Sequence, residues 1–415
     1  MADAADTSAG ALFRQRDYML YWCSRAAASL GVQIQAVALA WQMYDVARRT
    51  MDVPAATLQV GLIGAATFLP LFFLALPAGE MADRRDRKAI LIFCYLGEAA
   101  TGAALLASVM LDIASAPLLL AIAVAFGTSR AFFSPANTAM GPMLVPRSLL
   151  PRAIAWSSLA WQTAAVAGPA VAGLLIALSL EYAYGTAIGL YLFALAVLPF
   201  IRTPTKPATT LAGSRWTLIR QGLVYVWRQK IVFGAISLDL FAVLLGAATA
   251  LLPAFARDVL HVGSEGYGWL RAAPGIGAAV IALYLARDPI SRHAGPIMFW
   301  GVAVFALATI AFGLSQNYWL SLAMLAILGG ADMLSVYIRQ TLVQLVTPDV
   351  MRGRVAAVST LFISASNELG EFRGGVAAWL IGPKAAVVFG GVAALVVTGL
   401  WAKMFPDLRK ADRLD

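Results

Sequence analysis

Residues 58–111 read LQVGLIGAATFLPLFFLALPAGEMADRRDRKAILIFCYLGEAATGAALLASVML. Two apolar runs, 58–80 and 88–111, flank a charged stretch at 79–88. An α-helix rises about 1.5 Å per residue, so roughly 20 apolar residues cover the hydrocarbon core of a bilayer. Neither run shows the polar stripe of a helix packed on a soluble core. The stretch is therefore a helical hairpin that crosses a membrane twice, with its charges at one face. The bulk composition agrees. The 415 residues are 60% hydrophobic and 13% charged, with mean hydropathy +0.77. Soluble chains are about half apolar and about a quarter charged.

Similar runs recur along the chain. They predict helices at 18–45, 58–80, 88–111, 116–141, 153–180, 184–201, 231–256, 266–286, 295–314, 318–345, 354–382 and 385–404. The expected organisation is a cytoplasmic arm at 1–17, a first six-helix bundle at 18–201, a linker at 202–230, a second bundle at 231–404 and a tail at 405–415. The arm has no apolar stretch ahead of a cleavage site, so it does not read as a signal peptide. In the linker, Trp216, Ile219, Leu223, Val226 and Trp227 recur at helical spacing among arginines, the pattern of a helix on the membrane surface. Among the 31 Lys and Arg residues, Arg48, Arg49, Arg257 and Lys384 fall in loops on one side. Arg25, Arg130, Arg271, Arg339 and Arg373 fall within spans. All the others lie in the arm, linker, tail and loops of the opposite side. The positive-inside rule makes that side cytoplasmic, with both termini inside. This placement explains the net charge of +9 through topology and excludes a nucleic-acid partner.

Cys23 and Cys94 sit in apolar runs, which argues against a disulfide framework, and His261 and His293 sit in predicted loops, so no metal site is expected. No phosphate-binding glycine loop and no nucleophile–base pair stands out. The expectation is a protein that is not an enzyme and needs no cofactor.

A shift of 202 residues places Gly127, Pro146, Arg152, Ser157, Leu159, Gly168 and Gly173 on Gly329, Pro348, Arg354, Ser359, Leu361, Gly370 and Gly375. The fourth and fifth runs thus match the tenth and eleventh in the same membrane orientation. Parallel repeats of six helices, with a site near midplane between them, are a known transporter layout.

The loop Gly79-Glu80-Met81-Ala82-Asp83-Arg84-Arg85-Asp86-Arg87-Lys88 resembles the signature loop of the major facilitator superfamily, G-x-x-x-D-R-x-G-R-[RK]. Gly79, Asp83, Arg84, Arg87 and Lys88 match; Asp86 stands where the pattern has its second glycine. The resemblance implies an all-α membrane protein of twelve transmembrane helices in two parallel six-helix bundles. It also implies a conformational latch, with Asp83 facing the start of the eleventh helix near Arg354; a merely basic inner loop is the plainer reading. Arg130 in the fourth run is similar to the coupling arginine of the superfamily's drug:proton antiporters, without their following glycine. Gly168-Pro169-Ala-Val-Ala-Gly173 looks like the antiporter signature G-P-x-x-G-G, although kinked packing alone also accounts for it. Four further stretches resemble the enterobactin-exporter-like group: 33–42, 251–258, 270–275 and 366–372. That group exports siderophores, drugs and related small molecules.

Ionisable residues at membrane depth are costly and are functional candidates. Arg25, Asp239 and Arg339 lie at similar depth near the inner side, and Glu98, Arg130, Asp332 and Glu368 lie nearer the middle. Arg130 and Asp332 are repeat equivalents. The resemblance puts Arg25, Arg130, Asp239 and Asp332 on the pathway, and Glu98 on a scaffold helix. The expectation is that Arg130 and Asp332 interact across the midline and that Asp239, Asp332 or Glu368 carries the coupling proton; a fixed ion pair is the structural alternative. The sequence thus points to a monomeric, proton-coupled exporter of small amphipathic molecules in a bacterial-type inner membrane. An importer or lipid flippase on the same fold, or a non-transporting sensor, are the alternatives.

Overall fold

In hydrocarbon every backbone polar group must be bonded within its own segment, so a spanning chain is built of unbroken helices. The computed structural model describes residues 9–206, 215–290 and 292–412. The first eight residues of the arm, linker residues 207–214 and Arg413 in the tail lie outside the described residues, as do the side chains of Arg215, Trp216 and Ile219. The first half consists of α1 (Arg16–Arg48), α2 (Val53–Arg84), α3 (Arg87–Met110), α4 (Ala116–Met140), α5 (Leu150–Leu178) and α6 (Leu180–Val197). The second consists of α7 (Lys230–Gly246), α8 (Gly263–Arg287), α9 (Ala294–Leu314), α10 (Tyr318–Val346), α11 (Asp349–Ile381) and α12 (Pro383–Met404).

Ten of these segments are long and apolar enough to cross a membrane. The other two, α1 and α11, have 33 residues each and ample length. Their hydropathy is diluted by Arg25, Gln33, Gln35 and Gln42 in one, and by Glu368, Glu371 and Arg373 in the other. Exposed Phe73, Phe93, Leu178, Leu283, Trp300 and Trp319 give the surface the apolar character that lipid requires.

Most helices outrun at least one expected border, chiefly at their starts, and several connections shrink accordingly. Only Ser179 separates α5 from α6, and its hydroxyl accepts from the Tyr182 N–H at 3.4 Å. The charged loop at 79–88 is mostly helix, leaving Arg85 and Asp86 as the turn. The seventh run, expected to be continuous over 231–256, stops at Gly246. A 3-10 turn, Thr249–Leu251, and a π-turn, Phe255–Val259, follow. Pro253 supplies the reason, because its ring clashes with the carbonyl four residues back, that of Thr249.

By contacts the chain forms two compact units, Met1–Gln42 with Ala66–Ala212, and Met43–Ala65 with Gly213–Asp415. In the first unit α3 packs on α4 and α6, and α5 on α6; in the second α9 packs on α10 and α12, and α11 on α12. The pairing is the same in both.

Within the first unit, α1 and α3 run parallel and are pinned by two rungs. Gln35 Nε2 donates to Thr101 Oγ at 3.1 Å, and Gln42 Nε2 donates to Ser108 Oγ at 3.1 Å. Tyr184 Oη on α6 donates to Gln42 Oε1 at 2.6 Å. The chain after α6 is strapped to the ends of α1 and α3. The Thr203 hydroxyl and the Arg202 and Thr203 N–H groups all donate to Asp17. Lys88 Nζ donates to the Ile201 carbonyl at 3.0 Å. The Thr203 hydroxyl bond above all holds the Asp17 carboxyl below its ordinary range.

In the second unit the residues at 43–65 are fixed by charge. Tyr44 Oη donates to Asp258 at 2.5 Å, Arg48 pairs with Asp258 at 3.2 Å, and Arg257 pairs with Asp45 at 2.6 Å. The linker helix, Arg215–Arg228, buries Val226 against Val355 and Val358 of α11, while Leu223 and Trp227 stay exposed. That split suits a helix wedged between protein and lipid headgroups.

Candidate functional site

Repeat-related glycines set the scaffold. A Cβ on Gly127 of α4 would lie 2.5 Å from the Thr67 carbonyl oxygen of α2. A Cβ on Gly329 of α10 would fall inside the Pro274 carbonyl of α8. Only glycine permits these approaches. Gly168 of α5 likewise seats against Gln33 of α1, and Gly370 of α11 against Ala247 beyond the end of α7. Pro169 and Gly173 are buried inside the continuous helix α5.

In the second unit this scaffold gathers three ionisable groups. Asp239 on α7 and Arg339 on α10 are 6% and 2% exposed and paired at 3.2 Å. Asp332, two turns before Arg339 on the same face of α10, lines a small cavity with Asp239, Ser335, Val302 and Phe305. Arg339 Nε and Nη1 are buried and have no hydrogen-bond partner. Two carboxylates thus share one guanidinium, which leaves the cluster one negative charge in excess when both are ionised. A buried charge costs several kcal/mol unless it is paired and hydrogen-bonded. The arrangement can hold one exchangeable proton.

Of the other sequence candidates, Arg25 and Arg130 belong to the first unit and Glu368 to the second. The charge of Arg25 acts on Tyr18, Tyr21 and Tyr95. Arg130 lies 5.8 Å from the centroid of the Phe126 ring, and its charge acts on Glu98 and Tyr191. The Glu368 carbonyl would meet a Cβ on Gly64 of α2 at 2.7 Å.

The 79–88 turn explains its own departure from the pattern. Asp86 has extended backbone and caps α3, accepting from the Lys88 N–H at 3.0 Å and from the Thr205 hydroxyl. A side-chain cap takes the place of a glycine turn. Gly79 is buried inside α2, and Arg84 pairs with Glu80 at 2.8 Å. Arg87 donates to the carbonyls of Ala82, at 3.2 Å, and Ala139, at 3.3 Å, tying the turn to the end of α4. Arg354 in the second unit donates to the Met351 sulfur at 3.2 Å, and its carbonyl lies under Gly222.

Two ionisable residues at membrane depth stand outside the expected site, the buried Glu98 and the half-buried Arg373. The resemblance puts Glu98 on a scaffold helix, and it gives Arg373 no role. Arg373 Nη2 reaches the Ala247 carbonyl at 3.5 Å, across the break after α7. Depth in an apolar run was a signal available for both. Among the described residues no cluster of His, Cys, Asp and Glu has metal-binding geometry.

Helices of membrane-crossing length, packed in the same order in both halves, define a major facilitator transporter rather than an enzyme. A family profile described as transmembrane secretion effector matches residues 7–415, and the chain belongs to that family. It is 28% identical over 367 residues to the enterobactin exporter EntS of Shigella dysenteriae, spanning 85% of each chain. The fold is also that of the D-xylose-proton symporter, with TM-score 0.74 at 14% identity over 94% of this chain and 98% of the other. A bacterial homolog of the lysosomal transporter Spinster gives TM-score 0.73 at 14% identity, over 95% and 98%.

Proposed function

We propose that the chain is a proton-coupled exporter of small amphipathic, siderophore- or drug-like molecules. It works as a monomer by alternating access in a bacterial-type inner membrane, with both termini cytoplasmic. The observation that carries the reading is the Asp239–Asp332–Arg339 cluster, with its surplus carboxylate and the unpartnered nitrogens of its guanidinium. Arg339 pairs with Asp239, so the proton resides on Asp332. When the guanidinium turns toward Asp332, the proton is expelled and Asp239 becomes the acceptor. Arg130, at the repeat position of Asp332, supplies a second cation that biases this exchange, and Arg25 and Glu368 flank the route. Asp83, Arg84, Arg87 and Lys88 with Arg354 act as the cytoplasmic latch. Export follows from the printed function of the curated relatives, and orientation follows from the placement of lysine and arginine.

The test is substrate-driven collapse of an imposed pH gradient in proteoliposomes, over a panel of siderophores and amphipathic drugs. Active compounds should dissipate the gradient with the wild type, and Asp332→Asn should reduce the rate by at least ~10-fold, the loss expected when a proton-transfer group is removed. Equal rates in wild type, Asp332→Asn and Asp239→Asn would overturn the coupling role.

A further inference from the structure

Glu98 lies on α3, outside the cluster just described. It is 1% exposed, and its Oε2 has no hydrogen-bond partner. Three more buried polar atoms of the same unit share that condition: Gln35 Oε1 on α1, Tyr95 Oη on α3 and Tyr191 Oη on α6. Both tyrosines lie within the field of the glutamate, and so does Cys94. Gln35 is tied to the same turn of α3 through Thr101, whose hydroxyl donates to the Glu98 carbonyl at 2.8 Å. Arg130 on α4 is the cation acting on the carboxyl.

Donor and acceptor counts can be met with or without a proton, so the buried charge decides what this arrangement wants. An ionised carboxylate only accepts hydrogen bonds, and so does an amide oxygen. The orphans then comprise two pure acceptors, Glu98 Oε2 and Gln35 Oε1, and two hydroxyls. A proton on Glu98 turns one acceptor into a donor and removes an ion from the low-dielectric interior, where it costs several kcal/mol. The acid can then donate to Gln35 Oε1 or to a tyrosine oxygen, and the remaining hydroxyl donates to its carbonyl oxygen.

We propose that Glu98 is a second proton-binding site, lodged in the first unit among Gln35, Tyr95, Tyr191 and Arg130 and separate from the Asp239–Asp332 cluster. The step is simple protonation of the carboxylate. Its use in turnover rests on the proton-coupled reading above; its existence does not.

Infrared difference spectroscopy of the full-length protein in liposomes, perfused with buffers from about pH 5 to about pH 9, separates the two questions. A carbonyl band of protonated glutamic acid should appear and titrate. It should be absent in Glu98→Gln, persist in Asp332→Asn, and shift in frequency in Tyr191→Phe as one hydrogen bond is lost. The same acid bands in Glu98→Gln and wild type would overturn the site. If Glu98→Gln fails to fold, wild type grown with ¹³C-glutamate decides: no isotope-shifted acid band at any pH overturns the proposal. Loss of the Asp332 effect on transport with the Glu98 band intact would sink the coupling reading alone.

Discussion

Gly127 of α4 lies against Thr67 of α2, and its repeat partner Gly329 of α10 lies against Pro274 of α8. The same substitution of glycine for a side chain was kept at the same place in both halves. Three residues further along each helix the halves part company: Arg130 stands on α4 and Asp332 on α10. The first unit surrounds its arginine with Glu98, Tyr191 and Phe126, the second surrounds its aspartate with Asp239 and Arg339. A backbone contact tolerates no drift, because any added atom collides. A charge needs only a partner somewhere in reach, so its sign is free to change when the partner does. Duplicated scaffolds therefore preserve their close contacts and diverge in their charges.

This comparison can be broken at the charge cluster first. Arg339→Ala leaves the buried, ionised Asp239 without its cation and should lower stability by about 3–5 kcal/mol, with Arg339→Lys retaining part of it. Melting of the detergent-solubilised protein measures the loss. A melt equal to wild type would mean the carboxylates already sit neutral, and the charge argument would fall.

Next come the paired glycines. Gly329→Ala and Gly127→Ala should both destabilise by about 1–3 kcal/mol through overpacking, Gly329→Ala more because its Cβ meets the Pro274 backbone more closely. Destabilisation of one half alone would show that the repeat no longer governs packing.

A smaller effect separates the caps. Asp86→Ala should cost about 1 kcal/mol, whereas Asp86→Gly, which restores the superfamily pattern, should cost a few tenths. Equal losses would mean that the side chain does more than cap α3.

The smallest effect is a pH dependence at Asp17. Its carboxyl is held low in the folded protein, so the strap to Arg202 and Thr203 is in place above the ordinary carboxylate range and is lost as pH falls through the folded value. Once corrected for the intrinsic pH dependence of exchange, amide protection at Arg202 and Thr203 should drop on acidification in wild type and be weak at all pH in Asp17→Ala.

Much of the architecture was legible in residues 58–111 and their echoes, because helix length and lipid thickness leave few choices. Helix borders were less so. Residues such as Arg48 and Arg84 extend helices past the apolar run into the headgroup region, where hydropathy no longer marks them. The interruption after Gly246 was readable in principle from Pro253, but an apolar run hides a lost backbone bond. At the cluster, depth alone singled out Asp239, Asp332 and Arg339. The neighbours that give Glu98 its character, Gln35 and Tyr191, come from other helices, and no spacing along the chain announces them.

The two glutamine rungs between α1 and α3 have a mechanical consequence. Both helices advance seven residues from rung to rung, so the teeth of one match the teeth of the other in a single setting. Sliding α1 by one turn, about 5.4 Å, would disengage both rungs and the tyrosine on α6 together. The pair behaves as a locked rack rather than a piston: any stroke of α1 must drag α3 with it, and Glu98 travels on that carriage.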